Sequence, residues 1–206
     1  MPSLAIAISD SSNAYYEGSG LKVAELSIRF SAAEGAVTYS ASLIGKEIAA
    51  LGSAFAGPGT VKDPFMGWMA ASAALAGVDA ALIEGEWTFS REVGLLYSAA
   101  GGATPSEVPT NAYVGPLEVT ARATFDFEEA ALVESYLDKD QSAYSVTFNN
   151  TGTSETLAIA AALMDLGDGP FEIDRTGVFT TIAYSMRALY VIPEPAGNKF
   201  VRITFT

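Results

Sequence analysis

Residues 177–191 read GVFTTIAYSMRALYV. Val178, Thr180, Ile182, Tyr184, Met186, Ala188 and Tyr190 fall on one side of an extended chain, and Thr181, Ser185 and Arg187 on the other. Side chains of a strand point alternately to its two faces, so this is a strand with one apolar face to bury. The same period recurs over residues 117–127. There Val119, Ala121, Ala123, Phe125 and Phe127 face one way, and Glu118, Thr120, Arg122, Thr124 and Asp126 the other. Residues 21–30 end likewise, with Leu26, Ile28 and Phe30 set against Ser27 and Arg29. The turn signal over Ala32, Ala33, Glu34 and Gly35 predicts a hairpin from that strand to residues 36–44.

Residues 66–75 and 79–91 read as two further strands about a tight turn at Ala76 and Gly77. In the second, Ala81, Ile83, Gly85, Trp87 and Phe89 share a face, and Leu82, Glu84, Glu86 and Ser90 the other. Val93 to Tyr97 breaks this alternation, which predicts a bend. Residues 143–149 and 155–164 flank a turn at Asn150, Thr151 and Gly152, and residues 200–205 form a last strand. One helix is expected, over 127–138. Asp126 can cap it, Glu128 and Glu129 sit in its first turn, and Ala130, Val133 and Leu137, with Tyr136 beside them, make an apolar stripe. Two stretches read as connections: 98–112, and 45–64, the latter with one helical turn near Glu47 to Leu51. One short helix among many antiparallel strands indicates a mainly β fold, two packed antiparallel sheets forming a barrel or sandwich with the helix against one side.

The chain of 206 residues is long enough to bury a core without covalent staples. It contains neither cysteine nor histidine, which excludes disulfides, thiol nucleophiles, Ser-His-Asp triads and Cys- or His-ligated metals. With 24 Asp and Glu against 11 Lys and Arg, the formal charge is -13. No two of the cations adjoin in sequence, so there is no basic tract to grip a phosphate backbone. The longest apolar run, 65–78, is broken by Gly67 and Ser72 and is too short to span a bilayer. The opening residues lack the basic start of a signal peptide, so no membrane insertion is expected.

Motifs with chemical potential are weak. Asp126, Glu128, Glu129, Glu134, Asp138 and Asp140 follow the logic of a capped, solvated helix rather than calcium-loop spacing. The stretch around Asp165, Gly167, Asp168 and Gly169 lacks the alternating ligands of a calcium loop and reads as a turn. Gly57, Pro58, Gly59 and Lys62 miss the P-loop register. Trp68, Trp87, Phe89 and Tyr97 suit a core or subunit interface, or else a sugar-stacking surface. No catalytic, cofactor-binding or metal-binding residue is expected.

Residues 83–97, IEGEWTFSREVGLLY, are followed by a Gly/Pro loop, the strand to Phe127, and the acidic helix start leading to Tyr136 and Leu137. Then come the strand and turn YSVTFNN at 144–150 and the closing strands 177–190 and 200–205. This order, over about residues 21–206, resembles the tail tube (major tail) proteins of long-tailed bacteriophages. The resemblance implies a single domain over 1–206 with a barrel-like fold. It also implies self-assembly into hexameric rings stacked as a hollow tube, through which DNA passes without specific binding. Implied too are a place in the virion tail after assembly in the host cytoplasm, and contacts with tape-measure, tail-tip and tail-terminator proteins. On the ground that a conduit should repel phosphate, Glu84, Glu86 and Glu118 are expected to face the lumen. The 45–64 segment, with Gly57, Pro58, Gly59 and Lys62, is expected to reach a neighbouring subunit. The alternatives are another β-rich virion protein, such as a capsid decoration or head-tail connector, a carbohydrate-binding or adhesive module, and a hydrolase working with two carboxylates alone.

Overall fold

The computed structural model describes residues 4–9, 15–33, 35–45, 47–51, 64–66, 70–79, 81–97, 109, 111–126, 130–138, 141–150, 152–166, 172–175, 180–189 and 201–206. In chain order the elements begin with β1 (Leu4–Ser9), β2 (Tyr15–Ser31), β3 (Thr38–Ile44), β4 (Glu47–Leu51) and β5 (Ala70–Leu75). Next are β6 (Val78–Asp79), β7 (Leu82–Ser90), β8 (Val93–Leu96), β9 (Asn111–Val114) and β10 (Glu118–Asp126). Helix α1 (Ala130–Leu137) precedes β11 (Gln141–Asn150), β12 (Glu155–Asp165), β13 (Glu172–Asp174), β14 (Thr181–Ala188) and β15 (Val201–Phe205). The chain is thus mainly β, as its periodicity requires. It divides into two compact units, one from residues 1–26, 40–62 and 90–117, the other from 27–39, 63–89 and 118–206.

In the first unit, the early part of β2 is flanked by β1 and β4, with Gly18 opposite both Ile6 and Ile48. Strands β8 and β9 form a two-stranded ribbon, Val93 opposite Val114 and Gly94 opposite Tyr113. Arg91 ties the start of that ribbon to β2. Its backbone N–H donates to the Ala24 carbonyl at 2.9 Å and its Nε to the Val23 carbonyl at 2.7 Å.

The second unit carries the larger core. Its strands run in the order β2, β7, β10, β14, β12, β11, β5, β6. Two leaves are distinguishable because β12 changes partner along its length. Residues Leu157 to Ala161 pair with β15, whereas Met164 and Asp165 pair with Ala188 and Arg187 of β14. Between them lies a register shift against β11, where Ser142 opposes Met164 and Tyr144 opposes Ala161. One extra residue on β12 bends the strand, and a bulge of this kind is how a strand serves two sheets at a corner. At the other side the turn after β2 meets the segment entering β5. Ala36 bridges Met66, and the Val37 N–H donates to the Phe65 carbonyl at 2.7 Å.

Aromatic rings fill the space between the leaves. Trp87 of β7 stacks on Tyr144 of β11 with ring centres 4.9 Å apart and planes 4° from parallel, both fully buried. Phe30 meets Phe148 edge-on at 5.0 Å. Phe125 bridges Tyr144 and Tyr184, and Tyr184 in turn meets Tyr136 of α1. The helix is therefore seated through Leu132, fully buried, and Tyr136, four residues on. The expected stripe of Ala130, Val133 and Leu137 is displaced, since Leu137 is 67% exposed. In AALVESYL apolar residues surround most of the helix, so spacing fits two faces, and the ring contact on Tyr184 selects one. Residues 127–129, including the first-turn Glu128 and Glu129, lie outside the described residues.

Three other expectations change. Residues 47–51 are strand β4, not a helical turn. Five residues cannot sustain a helix alone, whereas β2 offers a pairing edge. Residues 111 and 112, read as the end of a loop, belong to strand β9, held by β8. The hairpin about Ala76 and Gly77 is only two pairs long, Ala74 with Asp79 and Leu75 with Val78. Residues 82–90 then leave it as β7, joining β2 and β10. The last strand, expected over 200–205, is β15 and lies against β12.

Two consequences are measurable. Ala76 and Gly77 both have positive φ, 55° and 76°, as the two central residues of a hairpin turn of type I′ require. Alanine in that region costs about 1–2 kcal/mol. Ala76→Asn therefore raises unfolding free energy by about 1 kcal/mol in urea titration; no gain would show the turn to be unstrained. The Tyr144 hydroxyl is buried with no hydrogen-bond partner among the described residues, and burial pushes its pKa far above the ordinary tyrosine range. Tyr144→Phe keeps the stack and removes a desolvated donor, so it is neutral or stabilising by about 1 kcal/mol. A loss of stability in the same titration would reveal a partner for the hydroxyl.

Candidate functional site

The outward face of β2, β7, β10 and β14 is set by the alternation that buries the other. Because Ile28, Phe30, Trp87, Phe89, Val119, Ala121, Ala123 and Phe125 point inward, Arg29, Glu84, Glu86, Glu118, Arg122 and Thr124 must point outward. Strand order then places Arg29 and Arg122 on either side of the two β7 carboxylates.

The charges interlock. Arg29 Nε donates to Glu86 Oε1 at 2.7 Å, and Ser27 Oγ donates to the same oxygen at 2.8 Å. Thr124 Oγ1 donates to Glu84 Oε1 at 3.2 Å. Arg187 Nη2 lies 3.2 Å from Glu118 Oε1, and Arg122 Nη2 lies 4.0 Å from Glu172 Oε2 on β13. Partial burial alone would raise the Glu86 pKa. The hydrogen bonds from Ser27 and Arg29 and the charges of Arg29 and Arg122 outweigh it and hold the carboxyl below its ordinary range.

A cleft of about 500 Å³ opens on this face, with Arg29, Glu84, Glu86 and Arg122 around it and Ala36 and Thr38 as one wall. Its floor includes Gly85, on which the Phe30 ring lies. A Cβ at residue 85 would stand 2.5 Å from Phe30 Cζ, so only glycine admits the ring.

The three expected lumen residues, Glu84, Glu86 and Glu118, therefore share one face, but Arg29, Arg122 and Arg187 are interleaved with them. The arginines were legible on polar faces of their own strands, but not that those strands adjoin. Gly57, Pro58, Gly59 and Lys62 lie outside the described residues, as does Trp68. Of the other aromatics singled out from sequence, Trp87 and Phe89 are core, which takes them from any sugar-stacking surface, while Tyr97 is exposed.

Among the described residues, no group of three or more acidic, cysteine or histidine side chains could hold a metal ion, and no helix is long and apolar enough to cross a membrane. The carboxylates of the face are engaged by hydroxyls and guanidiniums, and the chain offers no histidine or cysteine to act beside them. A family model described as phage tail tube protein matches residues 2–188, and the chain belongs to that family. No curated protein matches it.

The Glu86 contacts predict a pH dependence. A depressed carboxyl pKa adds stability that is complete above the ordinary value of 4.5 and is lost as pH falls through the lower folded value. Urea titrations of wild type and Glu86→Gln should differ by less than about 1 kcal/mol at neutral pH, because Arg29 is largely exposed. The difference should vanish in strong acid; a gap that persists there would assign it to packing instead.

Proposed function

We propose that this chain is the subunit of a phage tail tube. It self-assembles into hexameric rings that stack into a hollow tube, and DNA passes through the lumen to the host. The observation that carries this reading is the exposure of β3 and β4. Residues Thr38 to Ser42 and Glu47 to Ala50 are exposed without alternation, and they include Tyr39 and Ile48, the latter 75% exposed. A strand with both faces in water has no reason to be apolar on either, and unpaired edges invite association. Burial between copies removes both liabilities. The phage tail tube family match over residues 2–188 supports the same assembly.

In this reading both compact units belong to one subunit. The segment 45–64, with Gly57, Pro58, Gly59 and Lys62, continues the contact begun by β4. The tube lies in the virion tail, is built in the host cytoplasm, and meets tape-measure, tail-tip and terminator proteins along its lumen and at its ends. The acidic excess of each copy keeps DNA phosphates from adhering, over a range of about 8 Å at physiological salt.

Negative-stain electron microscopy of the concentrated protein should show hollow tubes of regular axial repeat. Ile48→Glu and Tyr39→Glu should leave the melting temperature nearly unchanged and raise the concentration needed for tubes by about tenfold or more, as charge placed in an apolar contact does. Tubes forming equally well in both variants would remove β3 and β4 from the interface, and wild-type protein that never polymerises would defeat the reading.

A further inference from the structure

The cleft over Gly85 is balanced in charge but not in hydrogen bonding. One oxygen of each carboxylate is engaged: Glu86 Oε1 receives both Ser27 and Arg29, and Glu84 Oε1 receives Thr124. Its guanidiniums keep most of their donors. Each carries five N–H donors. Arg29 uses only Nε among the described residues, and Arg122 reaches only Glu172, at 4.0 Å, beyond hydrogen-bond length. Two forks of unused donors thus border a space of about 500 Å³ with hydroxyls of Thr38 and Thr124 beside them. What fits such a space is a planar oxyanion, which two guanidiniums can hold by paired hydrogen bonds.

The source of that oxyanion follows from composition. Copies carrying a net -13 repel one another, and contacts in which cations of one meet anions of the next offset that repulsion. With 24 carboxylate side chains to 11 cations, the group most available to an exposed arginine pair is a carboxylate of another copy. We infer that the Arg29–Arg122 cleft is a socket for an acidic side chain of a neighbouring subunit, so that this face lies at a subunit contact. The inference rests on the tube reading, because assembly brings the second copy.

Carbodiimide cross-linking tests it directly. The reagent joins an amine to a carboxylate in direct contact with no spacer, so Arg122→Lys supplies a reporter in the socket. Isotopically heavy and light chains are mixed equally before assembly, and linked peptides from position 122 are read by mass spectrometry. Heavy–light links that identify one acidic residue support the socket. Links confined to a single chain, to Glu84, Glu86 or Glu172, in protein that has formed tubes overturn the socket and leave the tube reading intact. Protein that forms no oligomer by light scattering overturns both. Independently, Arg29→Ala combined with Arg122→Ala should raise the tube-forming concentration by about tenfold or more with only a small fall in melting temperature, from loss of the Arg29–Glu86 pair. Unchanged assembly in that variant overturns the socket as well.

Discussion

The stack of Trp87 on Tyr144 is the contact from which the larger unit is organised. It joins a strand of one leaf to a strand of the other, and both rings are wholly buried. Ring pairs of this kind contribute about 0.5–1.5 kcal/mol beyond the area they bury. The larger effect is positional. With Trp87 turned inward, period two turns Glu86 and Thr88 outward, and the same logic passes to β10 through Phe125 and to β14 through Tyr184. A slip of one residue in β7 would place Glu84 and Glu86 among the rings. The polar face is thus a consequence of the core, and its arginines and glutamates meet because the strands bearing them are held in register from behind.

Much of this was legible. Over the described residues 118–126, 181–188 and 82–90 the alternation assigned inward and outward residues correctly, since side-chain polarity reports the face directly. The hairpin about Asn150 to Gly152 was marked by its turn residues. Three features were not legible, each for a physical reason. The bulge in β12 falls within Ala160, Ala161, Ala162 and Leu163, where small apolar residues fit either face and period carries no information. Strand β4 is set by the edge of β2, a tertiary effect that overrides the local preference of Ile48, Ala49 and Ala50. The face of α1 is chosen by Tyr184, on a distant strand. Periodicity put Glu84, Glu86 and Glu118 on the polar faces of their strands, but that Arg29 and Arg122 flank β7 depends on strand order, which single-strand periodicity cannot supply.

Charge organises the polar face differently from the way net charge alone indicates. An excess of 13 negative charges describes the far field, which salt screens within about 8 Å. At contact distance the pairing of individual groups decides. On this face the carboxylates are engaged by hydroxyls and guanidiniums, while guanidinium donors remain. In the socket reading, a phosphate chain approaching the molecule is repelled at range, while a carboxylate aligned with the cleft meets guanidinium donors at contact. An acidic chain can therefore avoid DNA and still associate with itself, provided that its cations are kept in shaped sockets rather than in a tract. The absence of adjacent basic residues in the sequence and the separation of Arg29 from Arg122 by a strand of glutamates are both forms of that separation. A basic tract would bind phosphate wherever it met it, whereas two arginines set apart across β7 favour a ligand that reaches both.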